Sequence, residues 1–89
     1  MWYVYVLISD KNKRLYTGLT SDLRRRVIEH NRKQGGSYTS KNGPFKLIFY
    51  EAYIEKSDAA AAEKFFKSGY GREVIKQKLK VYLEKTNGL

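Results

Sequence analysis

Eighty-nine residues hold one modest core and no second lobe, so an active site must lie on the surface of a single sheet or helix layer. Eighteen lysines and arginines outweigh nine acidic residues, and the net charge of +9 attracts polyanions at long range, nucleic acid first and anionic membrane second. The chain has no cysteine, which excludes disulfides and thiolate metal sites, while 42% hydrophobic residues argue against wholesale disorder.

The chain opens with an apolar run, residues 2–8 (WYVYVLI), rich in aromatic and β-branched types, as strands are. That run is too short for a signal-peptide core with its flanks and far too short for a membrane span, so a cytoplasmic protein with no membrane partner is expected. Residues 9–13 form a polar turn, and residues 14–20 return as the second arm of a hairpin. Thr20, Ser21 and Asp22 offer capping oxygens to a helix from about Asp22 to Lys33, which Gln34-Gly35-Gly36 closes. A polar, basic loop covers residues 37–44. Residues 45–54 are the most apolar run and read as a central strand. Ser57 can cap a second helix from Asp58 to about Ser68. Gly69-Tyr70-Gly71 breaks the pattern, and a third helix continues to about Glu84 with Ile75, Leu79, Tyr82 and Leu83 at helical spacing. The order β-β-α-β-α-α predicts one α+β domain over residues 1–89. Its small three-stranded sheet is flanked by helices and is either antiparallel or mixed.

Side chains alternate across a strand, which puts Tyr3, Tyr5 and Leu7 on one face of the first strand and Trp2, Val4, Val6 and Ile8 on the other. In the second strand Arg14, Tyr16, Gly18 and Thr20 share a face. Matching the apolar sets leaves Tyr5 and Tyr16 together, and Gly18 opens a gap beside Tyr16 wide enough for a phosphate. Read structurally, the same pattern is a cross-strand aromatic pair with a glycine bulge. Along the first helix Asp22, Arg26 and His30 are each four residues apart and share a face. Leu23, Val27 and Ile28 form its buried stripe. Arg24 and Arg25 point elsewhere, to solvent or to phosphates.

These residues resemble the GIY-YIG nuclease superfamily. Its first signature element corresponds to Tyr3-Val4-Tyr5 and its second to Tyr16-Thr17-Gly18. The family's arginine, ten residues after the second tyrosine, falls on Arg26, and the histidine four residues further falls on His30. The family's metal-binding glutamate, on a later helix, matches Glu63, the only acidic residue between Asp58 and Glu73. Residues 2–80 carry the likeness, which is closest to small stand-alone bacterial members and similar to the N-terminal incision domain of the excision-repair nuclease. Val4 and Thr17 replace the isoleucines of the two elements. The asparagine that many members carry late in the domain has no counterpart between Asn42 and Asn87.

The resemblance implies metal-dependent hydrolysis of phosphodiester bonds in DNA, rather than RNA, directed by nucleic-acid structure in repair or recombination. Glu63 would anchor one Mg²⁺ or Mn²⁺, Arg26 would grip the scissile phosphate, and Tyr5 or Tyr16 would orient or deprotonate the attacking water. A free phenol ionises only near pH 10, so the tyrosine needs help, and His30 could accept or relay the proton. Gly18 would give clearance. Arg24, Arg25 and Lys41 would contact phosphates, as would Arg14, Lys33, Lys46 and the basic third helix, and Tyr38 could stack on a base. A protein partner could deliver the domain to its target. The first rival reading is a basic nucleic-acid-binding module that cleaves nothing. The second is a domain that docks on an acidic protein.

Overall fold

The computed structural model describes residues 1–32 and 42–86. Strand β1 (Trp2–Ser9) is the middle of the sheet, flanked by β2 (Leu15–Thr20) and β3 (Phe45–Tyr53) in the order β2-β1-β3, with both pairings antiparallel. The first hairpin closes tightly: the Ser9 amide donates to the Arg14 carbonyl (3.0 Å) and the Lys13 amide to the Ser9 carbonyl (2.9 Å). Both faces of β1 are covered, and every residue from Val4 to Ser9 is buried. A strand buried on both sides reads as a continuous apolar run, and that is the character of WYVYVLI.

The strand expected to be central, residues 45–54, is instead an edge. Its unbroken hydrophobicity has a local cause. Val6 pairs with Phe49 and Leu7 with Leu47, so Ile48 is an extra residue in a bulge, and Ile48 and Phe49 both pack on the Val4–Val6 face. Lys46, Leu47 and Tyr50 remain exposed.

Helix α1 (Leu23–Asn31) covers the face carrying Tyr5, Leu7 and Phe45, against which Leu23 and Val27 pack. Asp22 caps it, accepting from the Arg25 amide at 3.1 Å. Ile28, expected in the buried stripe, is 41% exposed. The helix stops at Asn31, earlier than Lys33, and the expected closing glycines at 35 and 36 lie outside the described residues. Asn31 fastens this end to the sheet: its side-chain amide donates to the Phe45 carbonyl (3.0 Å) and accepts from the Phe45 amide (2.7 Å).

The opposite face, carrying Val4 and Val6, is covered by α2 (Lys56–Lys67) and α3 (Gly69–Lys78), which contribute Phe66 and Ile75 to the core. Burying side chains of that size contributes about 1.5–3 kcal/mol each. Helix α2 starts at Lys56, before the expected Ser57 cap, and Glu55 at its head makes no side-chain capping bond. Gly69-Tyr70-Gly71 is not an interruption but the first turn of α3, capped by Ser68, whose hydroxyl accepts from the Gly71 amide at 3.1 Å. Gly71 lets the two helices meet closely: a Cβ there would stand 1.8 Å from the Phe65 carbonyl oxygen. The single third helix expected through Glu84 is divided at Leu79, which separates α3 from α4 (Lys80–Thr86). The result is a three-stranded antiparallel sheet with four helices, an α+β fold.

Candidate active site

Tyr5 lies opposite Gly18 in the β1–β2 register. Its ring crosses that glycine so closely that a Cβ at position 18 would fall 2.3 Å from the phenol oxygen and 2.4 Å from Cζ. The gap expected beside Gly18 is therefore filled by Tyr5 and not left for a phosphate. The glycine lets the phenol reach over β2, the edge strand.

There it meets the groups that α1 supplies. The Tyr5 oxygen is 2.9 Å from Nε2 of His30, and the ring of Tyr16 meets the His30 ring edge-on at 5.1 Å between centroids. Arg26 hydrogen-bonds the same phenol. An arginine can only donate, so the phenol oxygen accepts from Arg26, and its own hydrogen can be donated to Nε2 when His30 carries its proton on Nδ1. Nδ1 of His30 is buried without a hydrogen-bond partner among the described residues.

The electrostatics agree with neutral partners. Burial, and then the Arg26 charge, hold the His30 imidazole below its ordinary value of 6.5, with only a smaller opposing effect from Glu29, so it is a free base at neutral pH. Burial pushes the Tyr5 phenol above 10.0, although Arg26 pulls the other way. For Arg26, partial burial opposes the charge, but hydrogen bonds with Tyr5 and Glu29 outweigh it and raise its pKa.

The sequence pattern missed Glu29, which holds Arg26 at 3.1 Å and Arg25 at 3.7 Å. The i,i+3 and i,i+4 spacings to those arginines were the available signal.

Tyr5 and His30 are enclosed, at 1% and 0% exposure, whereas Tyr16 and Arg26 are only half-buried. Tyr16 is thus the phenol that meets solvent. Arg24 and Arg25 stand on the exposed side of α1. Tyr38 and Lys41 lie outside the described residues.

Glu63 comes from the other layer. Ala59, Ala62, Glu63 and Phe66 recur along the side of α2 that packs on the sheet, Ala59 and Phe66 being buried and Ala62 lying against the core. The Glu63 side chain is 23% exposed and its carboxylate pairs with Lys67 at 3.0 Å. It is near enough to Tyr5 for its charge to be felt at the phenol, as the weakest of the influences there.

Residues 1–80 match the family model described as the GIY-YIG catalytic domain. The chain belongs to the GIY-YIG family. It is similar to "UPF0213 protein in ldhD 5′region" of Pediococcus acidilactici, with 44% identity over 99% of this chain and 85% of that one. A UPF0213 protein of Streptococcus pyogenes strain Manfredo is 42% identical over 86% of this chain and 79% of its own. The solution NMR structure of a UPF0213 protein from Bacillus halodurans superposes with a TM-score of 0.52 at 36% identity, covering 84% of this chain and 82% of that one.

Membership in the GIY-YIG family supports a nuclease-type function and implies binding of nucleic acid. Among the described residues no helix is long and apolar enough to cross a membrane. The two GIY-YIG elements lie side by side, Tyr3-Val4-Tyr5 on the central strand and Tyr16-Thr17-Gly18 on the edge strand. A metal held wholly by protein does not fit, because no three His, Asp or Glu side chains gather among the described residues. A single carboxylate does fit a hard divalent cation that keeps most of its waters and takes further oxygens from a phosphate.

Proposed function

We propose that this GIY-YIG domain, over residues 1–89, is an endonuclease that hydrolyses phosphodiester bonds in DNA at the β2 edge of the sheet. The observation that carries the reading is the enclosed contact between a protonated phenol, Tyr5, and a neutral imidazole, His30, with Arg26 on the same oxygen. Cross-strand packing needs no base at that point, whereas hydrolysis does.

In the free protein Arg26 occupies a lone pair of the Tyr5 oxygen. A substrate phosphate offers Arg26 a charged acceptor in place of a neutral one, and charge-assisted bonds are roughly twice as strong. When Arg26 turns to the phosphate, the phenol oxygen becomes open to the attacking water, which Tyr16 orients from the solvent side. The water passes its proton to Tyr5 as Tyr5 passes its own to Nε2 of His30. The phenol never carries a full negative charge, so its raised pKa is no obstacle. His30 becomes imidazolium and surrenders the proton after the products leave. Glu63 would hold a Mg²⁺ or Mn²⁺, which when bound neutralises charge on the phosphate and the departing oxygen. Arg24 and Arg25 on α1 hold the DNA through phosphates, which gives affinity and little base preference. Phosphate contacts of this kind suit a structure-directed role in repair or recombination, in the cytoplasm, with delivery by a protein partner.

The test is cleavage of single-stranded, duplex, flap and junction DNA with Mg²⁺ or Mn²⁺. The native protein is expected to cut at least one of them, to stop on chelation and to resume when the cation returns. Glu63→Gln should bind the same DNA and lose cleavage by at least about 10²-fold. Binding without turnover by the native protein on every substrate would sink the reading and leave the binding-module alternative.

A further inference from the structure

A second feature lies across the sheet from α1. A groove of about 700 Å³ runs between β2 and helices α2 and α3. Its walls carry five cations, Lys13, Arg14, Lys67, Arg72 and Lys76, and its apolar lining is the half-buried Leu15 and Tyr16, with the core residues Phe66 and Ile75 behind them. Among the described residues Lys13, Arg14 and Arg72 have no ion-pair partner. Lys67 is held by Glu63, which joins the end of the groove to the proposed site.

Lys13 stands at the lip in a left-handed conformation, φ 61°, where glycine is at ease and a lysine is strained. A strained charged residue at the rim of a basic groove, where the simpler residue would fold better, points to a task for the charge.

Resting on the nuclease reading above, we infer that this groove takes an unpaired nucleic-acid strand flanking the scissile phosphate, so that the preferred substrate has a single-stranded arm. Phosphates would follow the cationic rims while base faces lie on the apolar lining, the two contacts by which single strands are bound without sequence preference. A duplex offers its phosphates but keeps its base faces stacked inside, so it would use the rims and leave the apolar lining bare. An acidic peptide is the competing occupant.

The test is fluorescence anisotropy with labelled oligonucleotides in the presence of a chelator, so that it is independent of cleavage. Native protein should bind a duplex with a single-stranded arm at least about tenfold more tightly than a blunt duplex of equal charge. The triple variant Lys13→Gly, Arg72→Gln, Lys76→Gln should lose that preference. The slope of log affinity against log salt for the arm should fall by about 2, three contacts at about 0.7 each. A variant with the same charge removed outside the groove, Lys56→Gln, Lys64→Gln, Lys85→Gln, should keep the preference. Lys13→Gly relieves strain, and a melting curve confirms that the groove variant is folded. Equal binding of armed and blunt DNA by the native protein overturns the inference. So does equal loss in the two triple variants, or a groove that discriminates an acidic peptide and not DNA. A protein that shows the arm preference but never cleaves would fail the nuclease reading and leave the groove standing.

Discussion

Gly18 and His30 fix how much each residue of the site can change. A methyl group at position 18 would collide with the Tyr5 phenol, whose end is held by His30 and Arg26 and so cannot swing freely aside. Gly18→Ala should therefore destabilise the fold by about 1–3 kcal/mol. At about 4–8 °C per kcal/mol for a domain of this size, calorimetry would detect it. His30 is the only histidine, so its titration can be followed without ambiguity. Unfolded, it ionises near 6.5; folded, burial and the Arg26 charge hold it lower. Between those two values the unfolded chain binds a proton that the folded chain refuses. Stability is thus complete above about pH 6.5 and declines as the pH drops through the folded value. Melting curves of the native protein and His30→Gln should show this acid limb only in the native protein. Strand alternation is enough to put Tyr5 and Tyr16 on one face. It does not show that Tyr5 itself fills the space over Gly18, because that depends on which rotamer the ring adopts once α1 has docked.

At the level of elements, α1 is the part that must be held in register, since it supplies both Arg26 and His30 to a phenol on the sheet. Its last residue does the holding. Asn31→Ala removes both bonds to the Phe45 backbone and should cost about 1–3 kcal/mol. The loss is expected first as faster hydrogen exchange at the Phe45 amide, before global unfolding, because the bond lies at the junction of α1 and β3. The polar amide of Asn31 gives no sign of this in the sequence, where the helix is expected to run on. β3 looks central in the sequence because a bulge sends Ile48 and Phe49 to the same face and lengthens the apolar run. Gly69 and Gly71 look like breakers, whereas Ser68 caps the turn they begin and Gly71 is needed for close helix contact.

Taken whole, the molecule is a sheet covered on both faces, and its site draws on both layers. α1 brings cations and a base to one face, while α2 brings Glu63 from the other. The order of elements and the amphipathic spacing in α1 and α2 make the fold class readable. The layer to which each helix belongs is not readable, because it follows from the pairing of β3 with β1 and not with β2. That pairing leaves β2 as an open edge, and the Tyr5 phenol lies over this strand, with the Glu63 charge acting on it. The most direct measurement is the single-turnover cleavage rate of one DNA substrate by the native protein and by Tyr5→Phe, with binding measured in parallel. The phenylalanine ring keeps the packing over Gly18 and removes the hydroxyl that meets His30 and accepts from Arg26 in the free protein. A rate reduced by about 10²–10⁴ with nearly unchanged binding is predicted. Equal rates in the two proteins would contradict the relay and remove Tyr5 from the chemistry.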